Sequence, residues 1–369
     1  GITEWNTNSS GTWGTAGNWS NGVPTGTKVA IIDRQAGSPI ITVDSTGGAA
    51  SAAAVSSWEP LTIATAGNLT VTAPLTQTGA TLSISGGILT TGSAQISTLN
   101  LSSGSWTANG NASVSTLTLS GGTLAGSGNV TVTGPFNVTA TSTLAGSGTF
   151  TTQGTSTLDM TGAGSFLALT GGKTWINQGT ATLGGDDLIY FGYSSGGANA
   201  LTNATGATFN LTTTNTNPLS LWTGTATFDN AGTFNNNAAV THTLSSGIAV
   251  NNSGTVNLAA GALAVAGNGS DTGTYSVGTG TTLAFSSGTR TLNAGSNITG
   301  AGTLAVSGAT IHANGLLGIA TTGTGLNLSG GTLNLNNDTT VATTLTLSGG
   351  TLAGSGNVTV TGPFNVTAT

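Results

Sequence analysis

The chain has 369 residues, of which only 4% are charged, against about 25% in ordinary globular domains, while Gly, Thr, Ser, Asn and Ala dominate. A net charge of −6 with four scattered cations, Lys28, Arg34, Lys173 and Arg290, excludes the clustered positive surface that nucleic acid or anionic lipid requires. Cysteine is absent, which removes disulfides and thiolate metal sites, and no apolar run approaches the roughly 18 to 20 residues of a membrane span. Disorder normally combines low hydrophobicity with high net charge. Here mean hydropathy is positive and Leu, Val, Ile and Phe recur on a regular beat, so a folded, charge-poor β protein is expected.

In chain order, residues 1–45 stand apart. Trp5, Trp13 and Trp19 precede the apolar run from Val29 to Ile32, which predicts a small Trp-rich N-terminal cap module over the open strand edges that a stack of coils exposes at its end. The chain begins with Gly1, not Met; a removed leader or excision from a longer polypeptide is expected.

Residues 46–115 hold the first coils. Leu-Thr-Val-Thr from Leu69, Leu-Ser-Ile-Ser from Leu82, Leu-Asn-Leu-Ser from Leu99 and Leu-Thr-Leu-Ser from Leu117 each alternate apolar with polar residues, the mark of a strand with one face buried. The pairs Gly86-Gly87 and Gly121-Gly122 supply the positive φ angles of tight corners.

From Thr116 the stretch TLTLSGGTLAGSGNVTVTGPFNVTAT begins, and it returns letter for letter from Thr344. Residues 116–343 therefore read as one repeat unit and 344–369 as the start of a second copy, whose continuation is expected to resemble Ser142 onward. Within the unit Asn-Gln-Gly-Thr from Asn177, Asn-Ala-Thr-Gly from Asn203, Asn-Ala-Gly-Thr from Asn230 and Asn-Ser-Gly-Thr from Asn252 recur at steps of 26, 27 and 22.

Spacing decides the architecture. Leu82, Leu99 and Leu117 follow one another at nearly equal steps. A unit of that length is too short to bury its own apolar face, whereas stacked coils share a continuous core. The reading is all-β: a parallel β-solenoid, or β-helix, with coils of about 17–27 residues, on the order of 15 coils at about 20 residues each. Tandem antiparallel sandwiches are the alternative, but they do not require the Leu-Ser-Gly-Gly phrase to recur in phase.

Few groups here can carry chemistry. Asp186 and Asp187 are the only adjacent acids and are followed by Tyr190, Phe191 and Tyr193, a candidate ligand-binding bulge set against an irregular corner with a solvated carboxylate pair. Trp106, Trp175 and Trp222 could form a sugar-stacking platform or fill wide coils. His242 and His312 lie in alternating segments and are expected to face outward, without the acid and oxyanion hole that a Ser nucleophile needs. No catalytic residue, cofactor or metal is expected. With so few titratable groups, melting should be nearly independent of pH between about 4 and 9.

The Trp-rich segment ending in Asn-Gly-Val-Pro, the Gly-Gly-Thr-Leu phrases with Gly-Ser-Gly, and Asn-Ala-Gly-Thr-Phe from Asn230 resemble bacterial extracellular β-solenoid surface proteins, the autotransporter passengers and filamentous-haemagglutinin-like adhesins. The resemblance implies secretion, a right-handed β-helical shaft and roles in adhesion, biofilm or surface fibres, with no catalytic residues to carry over. The expected function is a structural shaft or filament segment at the cell surface, partnered by itself, end to end or laterally, or by other surface modules. A carbohydrate-binding adhesin is the alternative, and a polysaccharide lyase or glycoside hydrolase is the least favoured reading.

Overall fold

The structure, a computed structural model, describes residues 1–368. The chain falls into two compact units, Gly1–Trp175 and Ile176–Thr369, and Thr369, the last residue of the second copy, lies outside the described residues. Both units are parallel β-solenoids, with about 16 turns in all. Helix is confined to one 3-10 turn at Ala16–Asn18 and one turn at Ile319–Thr322 among the described residues.

In the first unit the period read from the leucines is the ladder itself. Ile41, Leu61, Leu82, Leu99, Leu117 and Phe136 stand in register, each strand paired in parallel with the next. Two residues on, Val43, Ile63, Ile84, Leu101, Leu119, Val138 and Leu158 form a second column. Every member of both columns is buried, and the residues between them, such as Thr62, Asn100 and Thr118, face outward, as period-two alternation demands. Each aliphatic side chain so buried contributes about 1.5–3 kcal/mol, and only the neighbouring coil makes that burial available.

The Trp-rich segment belongs to the same ladder. Ile2–Glu4 pairs with Val29–Ile32, which pairs with Ala54–Ser57, and Gly11–Thr12 pairs with Ile41–Val43. Trp5, Trp13 and Trp19 are buried in edge-to-face contact, Trp19 lying 5.2 Å from Trp5 and 4.9 Å from Trp13. The Trp19 indole N–H donates to the Trp13 carbonyl at 2.8 Å.

In the second unit the Asn-x-Gly-Thr phrase finds its physical meaning. Asn177, Asn203, Asn230 and Asn252 point inward and are buried. Nδ2 of each of the first three donates to Oδ1 of the next, at 2.9, 2.8 and 2.9 Å. The same nitrogens, and that of Asn252, donate to the carbonyls of Thr208, Thr233, Thr255 and Thr274. The glycine permits close approach at the corner: a Cβ on Gly254 would come 2.1 Å from the Gly232 carbonyl oxygen. The threonine opens the next strand, so Thr180, Thr208, Thr233, Thr255 and Thr274 form an outward column in register. Buried amides are tolerated because every donor has a partner.

Three polar side chains run against expectation. His242 is buried and not outward, with Nδ1 2.5 Å from Asn236 Oδ1 and Nε2 2.9 Å from the Thr213 carbonyl. His312 keeps the outward position, partly exposed. Lys173 is buried in the first unit and donates to the Gly148 carbonyl at 2.7 Å, and Arg290 is buried in the second. The alternation of apolar residues fixes which face is inner but not what fills it where a coil is wide enough for a polar group and its partners.

Candidate functional site

The sequence candidates separate cleanly. Trp106 and Trp175 are fully buried, and their indole N–H groups each donate at 3.0 Å to a buried hydroxyl, Thr91 and Thr152 respectively. They fill wide coils of the first unit and offer no stacking surface, so two of the three residues of the conjectured platform are core. Trp222 differs: it is 58% exposed.

Tyr190, Tyr193 and Trp222 come together. Tyr190 is the outward residue of the strand Leu188–Phe191, and its register partner on the next coil is Ser220. Trp222 follows the strand Leu219–Leu221 and continues the ladder, its backbone N–H donating to the Phe191 carbonyl at 2.8 Å. Ring centroids lie 5.6 Å apart for Tyr190 and Trp222 at 84°, 5.2 Å for Tyr193 and Trp222 at 64°, and 5.9 Å for the two tyrosines at 36°. The two tyrosine rings run roughly side by side with the indole standing across them.

Asp186 and Asp187 are not a solvated pair. They occupy the turn before Leu188, where Asp187 is buried and Asp186 only partly exposed. Both backbone carbonyls are engaged, that of Asp187 by Thr213 Oγ1 at 2.8 Å and that of Asp186 by Asn215 Nδ2 at 3.1 Å. The corner reading therefore holds for the backbone, but the burial of Asp187 departs from a corner carrying two surface charges.

A second polar constellation escaped the sequence reading. Asp271 takes the next place after Asn252 in the inward column; its Oδ1 accepts from the Asn252 backbone N–H at 2.9 Å and from the Tyr275 hydroxyl at 3.0 Å. Its Oδ2 accepts from Arg290 Nη1 at 2.6 Å, a fully buried ion pair. Arg290 also donates to the Val250 carbonyl at 3.0 Å and lies over the Phe285 ring, 5.2 Å from its centroid. Gly269 makes this possible, because a Cβ there would come 2.6 Å from Nη1. Past the pair the column turns apolar, Leu292 and then Ala313 standing in register with Asp271. The ion pair thus closes the amide ladder where the interior changes to aliphatic packing. The signal was present: Asp-Thr-Gly-Thr from Asp271 continues the Asn-x-Gly-Thr series one coil after Asn252.

Burial shifts these groups. It pushes the Asp271 carboxyl up, against the opposing charge and hydrogen bond of Arg290, and pushes the Tyr275 hydroxyl up, assisted by Asp271. Burial works against the Arg290 charge, but Tyr275 and Asp271 outweigh it and hold its pKa up. Burial lowers His242, with the Thr213 carbonyl opposing, and takes Lys173 down to about 8. Each group is buried and already bonded, an arrangement that holds a fold.

No family profile, curated protein or solved structure matches this chain. What the fold and the polar interior define is a class, the parallel β-solenoid with an amide-laddered core.

Proposed function

We propose that this protein is a structural β-solenoid: a secreted segment that forms the shaft of a surface adhesin or an extracellular filament and associates with itself end to end or with other surface modules. The observation that carries the reading is the behaviour of the exact repeat. Residues 116–141 and the described part of 344–369 form the same set of strands at matching positions: Thr123–Ala125 and Thr351–Ala353, Val130–Val132 and Val358–Val360, Phe136–Val138 and Phe364–Val366. A sequence whose coils recur in register is built to be added to, which is the requirement of a shaft.

Composition supports an extracellular setting. Four cationic residues offer trypsin few sites, two of them buried, and a charge-poor surface omits the edge charges by which monomeric β proteins block association. A non-catalytic role agrees with the acids: carboxylate pairs that cleave glycosides face each other across a substrate, whereas in the adjacent pair Asp186 is partly exposed and Asp187 is buried. Negative-stain electron microscopy of the purified chain tests the reading. Elongated particles that lengthen into fibres with rising concentration are expected, and compact particles at every concentration would sink it.

A further inference from the structure

We propose that Trp222, walled by Tyr190 and Tyr193, is a stacking site for a neutral pyranose of an oligosaccharide. Of the seven tryptophans five are buried and Trp222, at 58%, is the most exposed, and it alone is exposed within a cluster of aromatic rings on a strand-built surface. The ring is not loose. Its backbone is held in the ladder by Phe191, and its edge or face meets both tyrosines at 5.6 and 5.2 Å, contacts that bring stabilisation beyond burial alone.

The backbone beside it is shaped to hold that arrangement. A Cβ on Gly192 would come 1.8 Å from the Thr223 carbonyl oxygen, so only glycine lets the Tyr193 loop lie against the chain next to Trp222. Ser194 has φ +60°, one of two non-glycine residues with positive φ among the described residues. That conformation costs about 1–2 kcal/mol, and such residues concentrate at ligand-holding sites. Asn199 ties the far side of the loop by donating to the Gly196 and Gly197 carbonyls at 3.0 and 3.3 Å.

The ring geometry selects the ligand class. A quaternary ammonium needs aromatic walls that part to admit it, each face within about 6 Å of the cation. Here the rings already pack on one another at centroid separations of 5.2–5.9 Å, and what remains open is the exposed surface of Trp222 itself. A flat π face with a negative quadrupole attracts the polarised C–H groups on the apolar face of a pyranose, while hydroxyls at the sugar's rim stay in water or meet polar neighbours. Arg290 is the one cation in the second unit's sequence and it is buried, so nothing there would pair with an acidic sugar or phosphate, and the neutral class follows.

Titration calorimetry of the full chain with maltohexaose, cellohexaose and xylohexaose, with tetramethylammonium chloride and a proline-rich peptide as competing probes, tests this. At least one neutral oligosaccharide should bind with a sub-millimolar dissociation constant. Trp222→Ala should weaken it at least tenfold with a cooperative melting transition retained, Trp222→Tyr by less, and Trp58→Ala, a change at an exposed tryptophan of the other unit, should leave it unaltered. Absence of binding to every neutral oligosaccharide, unchanged affinity in Trp222→Ala, or tighter binding of tetramethylammonium or the peptide would overturn the proposal. The shaft reading stands apart from it, since elongated particles that bind no sugar defeat this site alone.

Discussion

Two stretches of identical sequence lie in different surroundings. Phe136, in the first copy, is fully buried, whereas Phe364, its counterpart, is 54% exposed, and Val138 is buried where Val366 is 60% exposed. The strands do not differ: each copy forms them at the same positions and Gly126 and Gly354 share φ +121°, the backbone departing only at the corner where Gly122 has φ +73° and Gly350 lies outside the positive range. In the first copy the strands are paired on both sides, with Ser142–Ala145, Thr149–Thr152 and Thr155–Leu158 laid over them. In the second they are paired on one side, with the coil before. One neighbouring coil is enough to set conformation, and the second sets burial.

Substitutions can break this comparison. Phe136→Ala should cost about 3–5 kcal/mol as a core truncation, and Phe364→Ala less than about 1 kcal/mol, read from denaturant midpoints; equal costs would mean that the two copies share one environment in solution. Leu117→Ala and Leu345→Ala supply the control, because both leucines are buried beneath the strand Phe136–Val138 or Phe364–Val366. Each should cost about 2–5 kcal/mol, and the two should agree within about 0.5 kcal/mol.

Outside the copies, where the interior is polar, the cost has a different origin. Arg290→Met leaves the Asp271 carboxylate buried without its counter-ion and should lose about 3–5 kcal/mol. Adding Asp271→Leu should recover a large part of that, since the next residue in the column is already Leu292. A double variant no better than the single would show that the pair does more than close the amide ladder.

The copies contain no titratable side chain, so any pH dependence must arise elsewhere, and Lys173 supplies one. Its folded pKa is about 8 against 10.5, so between those values the unfolded chain binds the additional proton and stability rises with pH. The melting midpoint should climb by a few degrees from pH 8 to pH 10.5, and Lys173→Met should flatten that slope. His242, lowered in the folded state, acts in the same sense at lower pH, with stability lost as pH falls below about 6.5. This replaces the flat profile expected from a charge-poor composition, because what matters is where the few charges sit. The smallest effect is expected from Thr118→Ala and Thr346→Ala, outward in both copies, each within about 0.5 kcal/mol of wild type.

Much of this was legible. The evenly spaced Leu82, Leu99 and Leu117 became register neighbours, and the Leu-Thr-Leu-Ser alternation became inward and outward faces. The candidate site was legible only in part. Tyr190, Tyr193 and Trp222 could be singled out as aromatic, but nothing in the chain's order separates Trp222 from Trp106 or Trp175. Register is the reason: Trp106 stands in the inward column with Leu89 and Leu124, whereas Trp222 follows Leu221, which pairs with the inward Phe191, and so falls on the outward beat.

The sequence by itself determined the coil: its length, its strands, its corner glycines and the repeat that restarts at Thr344 the coils begun at Thr116. Those properties are local, set by alternation and by backbone angles that one coil specifies alone. Only the tertiary structure decided which polar groups went inside, how Asp271 and Arg290 meet from successive coils, and which tryptophan was left in water. Those outcomes depend on what the next coil stacks above each residue, and no residue carries that information in its own neighbours along the chain.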